Sequence, residues 1–128
     1  LQLHMSMDSF TTAEEILCYA EEELDKAIKT GDILLYRNAA DKAFLAVIVA
    51  VNAYIAAKLK VAPRSHDERR KLLRKLGRED LRAEYSDLMR TLHEDAFYEG
   101  VYDPEEVRHA IQRARGLIRE LKEEVEQL

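Results

Sequence analysis

The chain has 128 residues, of which 47% are hydrophobic and 35% are charged, and its formal net charge is -5 at pH 7. This composition is typical of one globular domain that buries a single core, and it excludes a disordered chain. The modest negative charge also disfavours a protein whose whole surface is adapted to binding nucleic acid.

The N-terminal residues precede the first clear helical pattern. We predict that residues 1–9 form an N-terminal extension and that residues 10–128 form one helical domain. The first helix is predicted to begin at Thr12, because Thr12 and Glu15 have the spacing of a capping box. Gly31 is the type of residue that commonly follows a helix, so we expect the first helix to end just before it.

The second helix is predicted to be the central helix of the fold. It starts after Asp32 and continues to about Val61, because Pro63 cannot extend it. Residues 43–57 contain a single polar residue, Asn52. This run is shorter than the roughly 20 apolar residues of a membrane-spanning helix, so we predict a buried helix in a bundle and no membrane association.

A short helix and a longer helix follow. Ser65 is the predicted N-cap of a short helix from His66 to Leu76. The next helix is predicted from Glu79 to about Phe97, where apolar residues recur at three- and four-residue steps. No segment has the two-residue alternation of a half-buried strand, so the pattern predicts an all-α fold.

The last helix has the most regular apolar pattern in the chain. Asp103 and Pro104 are the residue types expected at its N-cap and first turn. Its apolar residues recur every three or four positions, which suits packing in a bundle or in a coiled-coil seam. The candidate residues of a dimer seam are Val107, Ile111, Ile118, Leu121 and Val125. The predicted fold is an up-and-down bundle of four long helices plus one short helix.

The junction between the last two helices carries a family resemblance. Residues 92–107 read LHEDAFYEGVYDPEEV, an aromatic pair and a glycine followed by an Asp-Pro helix start. With the long central helix and the short helix after SHDE, this segment resembles the HEPN superfamily, and within it the archaeal PaREP1-type proteins, over residues 10–125. The resemblance implies a HEPN-like homodimer that is a ribonuclease, or a partner of a minimal nucleotidyltransferase, in a toxin–antitoxin pair.

Catalytic HEPN proteins carry an arginine that is followed by a histidine after four to six intervening residues. Here Arg90 and His93 are separated by only two residues, so this sequence departs from the motif. The departure favours a non-enzymatic dimeric module that binds a partner protein, a nucleotide or RNA. The alternative is a metal-independent ribonuclease with a shifted site, in which His93 is the base and Arg90 or Tyr98 contacts the phosphate.

A basic segment lies around the short third helix. Its cations exceed its carboxylates although the chain is acidic overall, which is the pattern of a surface that binds phosphate groups. The candidate residues for binding RNA or a nucleotide are Arg64, Arg69, Arg70, Lys71, Arg74, Lys75 and Arg78. A solvated face of an amphipathic helix would have the same composition, so both interpretations stay open.

The central helix also contains three polar residues, Asn38, Lys42 and Asn52. Because buried polar groups need partners, we predict that they line a ligand cleft or form a polar seam across a dimer. No pair of histidine and carboxylate motifs has metal-ligand spacing, so we predict neither a metal nor a cofactor. A single cysteine and no recognisable signal peptide predict a cytoplasmic location.

Overall fold

The computed structural model describes residues 2–128, with side chains from Ser6 onward. Within this range the structure is helical and contains no strand, so the all-α prediction is confirmed. The helices in chain order are α1 (Gln2–Thr30), α2 (Ile33–Leu59), α3 (His66–Lys75), α4 (Glu79–Leu88) and α5 (Pro104–Glu126). Between α4 and α5 the chain continues as a π-helix, here called the π segment (Met89–Tyr98).

Helix α1 begins earlier than the capping pattern predicts. It starts at Gln2, so the predicted boundary at residue 10 falls inside a continuous helix. Thr12 does not act as the N-cap, because its hydroxyl donates to the carbonyl of Asp8 at 3.0 Å. A threonine within a helix can satisfy its side chain on the preceding turn, so its presence alone does not mark a helix start. Phe10 is fully buried and belongs to the core.

Helix α2 has the predicted N-cap but a different C-terminus. The carboxylate of Asp32 accepts a hydrogen bond from the backbone N–H of Leu35 at 3.0 Å, as expected of an N-cap. The helix ends at Leu59 because Lys60 adopts a left-handed conformation, with φ 59°. Pro63 lies beyond this turn, so the prediction that proline ends the helix near Val61 is wrong.

Helix α2 is the central helix, as predicted. By length and composition it is apolar enough to cross a membrane. Its apolar side chains pack against other parts of the chain, however, since α2 contacts α1, α3, the π segment and α5. Its buried residues are Tyr36, Ala39, Ala40, Ala43, Phe44, Ala46, Val47, Ala50, Val51, Ala53, Tyr54 and Ile55. The many alanines allow the neighbouring helices to approach closely.

The apolar stripe of α5 lies inside the chain and not at its surface. Val107, Ile111, Ile118, Leu121 and Val125 are each at most 2% exposed. Helix α5 contacts α1, α2 and the π segment, so the stripe is covered within one copy of the protein. These residues are not available to a second copy, and the prediction that they form a dimer seam is corrected. The apolar repeat of α5 therefore packs this helix against the other helices of the same chain.

The predicted fourth helix is divided into α4 and the π segment. The π segment is defined by hydrogen bonds from a backbone N–H to the carbonyl five residues earlier, as in the 2.8 Å bond from the N–H of Glu99, just after the segment, to the carbonyl of Glu94. This wider turn changes the directions of the side chains relative to those of an α-helix. A helical wheel with α-helical spacing therefore does not predict where Arg90 and His93 point.

The start of α2 holds the end of the π segment in place. Arg37 donates from Nε to the carbonyl of Phe97 and from Nη2 to that of Tyr98, both at 2.8 Å. The hydroxyl of Tyr36 accepts from the N–H of Asp103 at 2.9 Å. These bonds satisfy backbone groups that a helix terminus leaves without partners, and they tie the loop after the π segment to the central helix.

Candidate functional site

Two histidines from distant parts of the chain meet beside the central helix. His66 is the first residue of α3, His93 lies in the π segment, and their ring centroids are 5.7 Å apart. Phe44 of α2 contacts both rings, at 5.6 Å from His66 and 6.0 Å from His93. Both histidines line two neighbouring open cavities. This pair is the centre of the candidate site.

His93 is oriented by a carboxylate. Its Nδ1 lies 2.7 Å from Oδ1 of Asp41 on α2. Because an ionised carboxylate can only accept, the proton of neutral His93 is on Nδ1 and the lone pair is on Nε2. Phe97 stacks on His93, with the two ring centroids 5.9 Å apart. The arrangement is that of a histidine held ready to accept a proton at Nε2.

His66 is held in the other neutral tautomer, with its proton on Nε2. Its Nδ1 lies 2.7 Å from the hydroxyl of the buried Tyr85, and Arg69 donates to the same hydroxyl at 3.3 Å. Arg69 Nη1 also lies 3.4 Å from Nδ1 of His66, and because a guanidinium can only donate, Nδ1 is an acceptor. The Tyr85 hydroxyl therefore donates to Nδ1, and the imidazole proton of His66 is on Nε2. Burial, followed by the nearby charges of Arg69, His93 and Arg70, lowers the pKa of His66. His66 is therefore a neutral hydrogen-bond donor at Nε2.

Arg69 is buried, and it is bound to the partly buried Asn52. Arg69 is 7% exposed, and its Nε donates to Oδ1 of Asn52 at 2.7 Å. Arg69 thus positions Tyr85 and His66 from inside the fold, and the prediction that it contacts phosphate at the surface is corrected. Asn52 is satisfied within the chain, so it does not form the predicted dimer seam.

The other cations of the basic segment do not form one positive surface. Arg78 pairs with Asp80 and Glu120 at 3.0 Å and also with Glu124. Lys71 pairs with Asp67 and Arg74 with Glu79. Among residues 6–128, the side chains of Arg64 and Lys75 have neither an ion pair nor a side-chain hydrogen bond. Of the seven predicted cations, Lys71, Arg74 and Arg78 are thus neutralised by neighbouring carboxylates, and Arg69 lies inside the fold.

Arg70 is the cation of the basic segment that reaches the candidate site. It lines the larger cavity, of about 610 Å³, together with both histidines. Its nearest carboxylate, that of Asp67, is 4.0 Å away. The guanidinium is therefore available to an anionic group that enters the cavity.

Asn38 and Lys42 lie on the other side of the histidines. Both line the second cavity, of about 320 Å³, with Asp41 and the apolar residues Leu45 and Ile48. Lys42 also pairs with Glu23 of α1. The predicted row of three polar residues is thus divided, because two of them line a cleft and Asn52 faces Arg69.

Arg90 is not part of the histidine site. It is exposed and pairs with Asp87 at 2.6 Å, one turn earlier in the chain. The predicted pairing of Arg90 with His93 at one site is therefore corrected. Tyr98 does line the larger cavity with His93, as the alternative hypothesis expected, and its side chain is 71% exposed.

The sequence patterns do not single out Asp41, His66 and Tyr85. Asp41 could have been selected from the sequence, because it is an acidic residue at the edge of the most apolar stretch of the chain. His66 lies at a helix start, where polar residues are common, so its type gives no indication of a site. Tyr85 belongs to an apolar stripe, so the sequence predicts only a core residue there. In the described residues, no group of three or more His, Cys, Asp or Glu side chains could hold a metal ion.

The comparisons with known proteins place most of the chain in one family. A model of the archaeal PaREP1/PaREP8 family matches residues 13–118. A search of the curated proteins and a search of the solved structures found no match. The match confirms the part of the resemblance that concerns the PaREP1-type proteins.

Proposed function

The chain belongs to the archaeal PaREP1/PaREP8 family, and we propose that it is a metal-independent ribonuclease with His93 as its catalytic base. The observation that carries this proposal is the 2.7 Å contact between His93 and Asp41 beside a second imidazole, that of His66. Histidine is the usual proton acceptor in enzymes at neutral pH, and a carboxylate partner keeps it in the active tautomer.

The reaction uses the 2′-hydroxyl of RNA as the nucleophile. Nε2 of His93 takes the proton of this hydroxyl, O2′ attacks the adjacent phosphorus, and the bond from phosphorus to O5′ breaks. O5′ leaves on the side of phosphorus opposite to O2′ and takes a proton from water, and His93 returns the proton that it accepted to water, so the histidine ends in its starting state. The products are a 2′,3′-cyclic phosphate and a 5′-hydroxyl. Asp41 stabilises the positive charge that His93 carries in between.

His66 and Arg70 supply the electrostatic part of this reaction. The phosphorane that forms on attack carries additional negative charge on its non-bridging oxygens. Neutral His66 can donate from Nε2 to one of these oxygens, and Arg70 can donate to another, since both side chains line the cavity that contains His93. The lowered pKa of His66 makes it a donor and not the acid that protonates the leaving group.

Binding of a nucleotide or RNA without cleavage is the second candidate function. It is favoured by the spacing of Arg90 and His93, which departs from the HEPN motif. The same two cavities would hold the ligand. A HEPN-like fold, a homodimer, a nucleotidyltransferase partner and a cytoplasmic location belong to this proposal as predictions, supported by the resemblance of residues 92–107.

The test is cleavage of a labelled single-stranded RNA in the presence of EDTA. We expect fragments that end in a 2′,3′-cyclic phosphate, and no cleavage of a DNA oligonucleotide of the same sequence, which lacks the nucleophile. His93→Ala should lower the rate by about 10²- to 10⁴-fold. The matched control is His109→Ala, which removes an exposed histidine on α5.

Two results would contradict catalysis by this site. RNA that stays intact at high protein concentration would end the ribonuclease proposal, and binding of that intact RNA would favour the second candidate. Equal cleavage by the wild type and by His93→Ala would identify a contaminating nuclease or another site.

A further inference from the structure

Arg69 carries a charge that no acidic side chain between positions 6 and 128 balances. Its polar contacts are with Oδ1 of Asn52 at 2.7 Å, the hydroxyl of Tyr85 at 3.3 Å and Nδ1 of His66 at 3.4 Å. All of these partners are neutral. The guanidinium is therefore hydrogen-bonded but has no counter-ion, although the residue is only 7% exposed.

A buried cation without a counter-ion is unfavourable for folding. Removing a charge from water costs free energy that neutral hydrogen bonds compensate only in part. Arg78 is less buried than Arg69, and it nevertheless pairs with three carboxylates, those of Asp80, Glu120 and Glu124. The contrast indicates that the anion for Arg69 comes from outside the chain.

His66 connects the buried charge to the cavities. Its Nδ1 faces the interior, toward Tyr85 and Arg69, whereas its ring lines both cavities. The two ring nitrogens of an imidazole point away from each other, so Nε2 is directed away from the interior. Nε2 has no hydrogen-bond partner among residues 6–128. Its N–H is therefore free to donate to a molecule that enters a cavity.

We propose that Arg69 is a positioning residue for an anion subsite at Nε2 of His66. It holds the tautomer of the imidazole through Tyr85, and it supplies a buried positive charge behind the bound group. The inference rests on the proposed ribonuclease function and assigns the subsite to the phosphodiester of RNA. The phosphorane carries more negative charge than the phosphodiester, so the charge of Arg69 favours the transition state over the ground state.

The carboxylates at the mouth of the larger cavity oppose an anion less than Arg69 attracts it. Glu94, Asp95 and Glu99 line this cavity and are exposed. Water and salt screen charges at the surface, whereas a buried charge acts through a medium of lower dielectric constant. The charge of Arg69 therefore has the larger effect at Nε2 of His66.

The first test determines the tautomer of His66 by long-range ¹H–¹⁵N NMR, which distinguishes a protonated ring nitrogen from a bare one. We expect the proton on Nε2 in the wild type. In Arg69→Met the hydroxyl of Tyr85 loses its donor and can accept from Nδ1–H, so both tautomers should be present. The matched control is Lys75→Met, which removes an exposed cation from the same helix. A tautomer that is unchanged in Arg69→Met would overturn the positioning role.

The second test changes the charge and leaves Arg69 in place. Aspartate has the shape of asparagine and accepts the same hydrogen bond from Nε, so Asn52→Asp gives Arg69 a counter-ion. Inorganic phosphate is titrated into the full chain, and its dissociation constant is obtained from the His66 resonances. We expect Asn52→Asp to weaken phosphate binding roughly 5- to 50-fold. Arg69→Lys, which keeps the charge, should bind phosphate more tightly than Arg69→Met.

The matched control for Asn52→Asp is Gln127→Glu, which adds the same charge at the exposed end of α5. It should change the dissociation constant by less than about twofold, because the added charge is distant and screened. No binding of phosphate near His66 in the wild type, or equal affinities of the wild type and Asn52→Asp, would overturn the subsite. This comparison decides the question even where Arg69→Met does not fold.

A thymidine oligonucleotide distinguishes a phosphodiester from free phosphate. It has the phosphodiester of a nucleic acid but no 2′-hydroxyl, so it is not cleaved by the proposed reaction. We expect it to displace inorganic phosphate from His66, and phosphate that stays bound would overturn the assignment of the subsite to RNA. Displacement that depends on Arg69, with RNA left intact, would support the subsite and end the ribonuclease proposal.

Discussion

Asp41 of α2 accepts a hydrogen bond from Nδ1 of His93 at 2.7 Å, although the two residues are 52 positions apart in the chain. Both side chains are about one-third exposed, with 34% for His93 and 37% for Asp41. The pair therefore lies at the wall of the cavities, where a substrate can reach it, and not in the core. The contact fixes which nitrogen of His93 is available to accept a proton.

Replacing Asp41 should lower catalysis without unfolding the protein. In Asp41→Asn the amide can donate to the histidine, which favours the wrong tautomer of His93. We expect the rate of RNA cleavage to fall by about 10²- to 10⁴-fold, with an unchanged circular dichroism spectrum. Asp25→Asn is the matched control, because Asp25 is an exposed residue of α1 that pairs with Arg108 and lines neither cavity. A rate close to that of the wild type would show that Asp41 does not orient the base.

His66 should titrate below its ordinary pKa of 6.5, because it is partly buried and lies near Arg69, His93 and Arg70. The unfolded chain takes up a proton near pH 6.5, whereas the folded chain does so only at lower pH. The unfolded state then binds more protons in this window, so the free energy of unfolding falls as the pH drops from 6.5 to the folded pKa. NMR titration of the imidazole resonances measures the pKa directly.

The lowered pKa of His66 should also change the pH dependence of the free energy of unfolding. Urea unfolding between pH 7.5 and 5 should show a smaller pH dependence in His66→Gln than in the wild type, because the variant lacks this titrating group. Identical slopes in the two proteins, or a titration midpoint of His66 above 6.5, would contradict the neutral donor assigned to His66.

Gly100 should tolerate alanine less well than Gly31. Both glycines have a left-handed backbone, with φ values of 72° and 73°, so an alanine at either position costs about 1 kcal/mol. A Cβ at Gly100 would in addition lie 3.0 Å from Nη1 of Arg37, whereas a Cβ at Gly31 would meet nothing within 4 Å. We expect Gly100→Ala to be the less stable variant by about 1 kcal/mol in urea unfolding. Equal stabilities would indicate that Arg37 moves away at no cost.

Arg78 should stabilise the fold more than its neighbour Arg74. Arg78 is 23% exposed and joins the start of α4 to Glu120 and Glu124 of α5. Arg78→Met leaves these carboxylates without their partner and should cost about 1–3 kcal/mol. Arg74→Met removes an exposed pair with Glu79 and should change the stability by less than about 0.5 kcal/mol. Thermal or urea unfolding compares the two, and equal losses would contradict the difference in burial.

Much of the helical framework could be predicted from local patterns. Asp32, Ser65 and Asp103 are the N-caps that their residue types predict, and each accepts a hydrogen bond from a backbone N–H three residues later. A cap acts within one turn, so the sequence around it contains all the information needed. The start of α1 was less predictable, because Thr12 has the type of a cap but lies within a helix.

The candidate site could be predicted only in part. The segment that carries the family resemblance contains the candidates His93 and Tyr98, and both line the larger cavity. Arg69 was predicted at the surface because arginines of an amphipathic helix are usually solvated. Its burial depends on Asn52, which lies on another helix and offers the acceptor that makes the buried charge acceptable.

The all-α class, the N-caps Asp32, Ser65 and Asp103 and the apolar faces of the helices could be predicted from the sequence, because they depend on residues that are one to four positions apart. The family resemblance at residues 92–107 likewise needed only a contiguous segment. The tertiary structure alone decided that α5 turns its apolar stripe inward and that His93 meets Asp41 and His66. These contacts join residues far apart in the chain, and the π segment sets the direction of His93 through a backbone geometry that the α-helical spacing of apolar residues does not reveal.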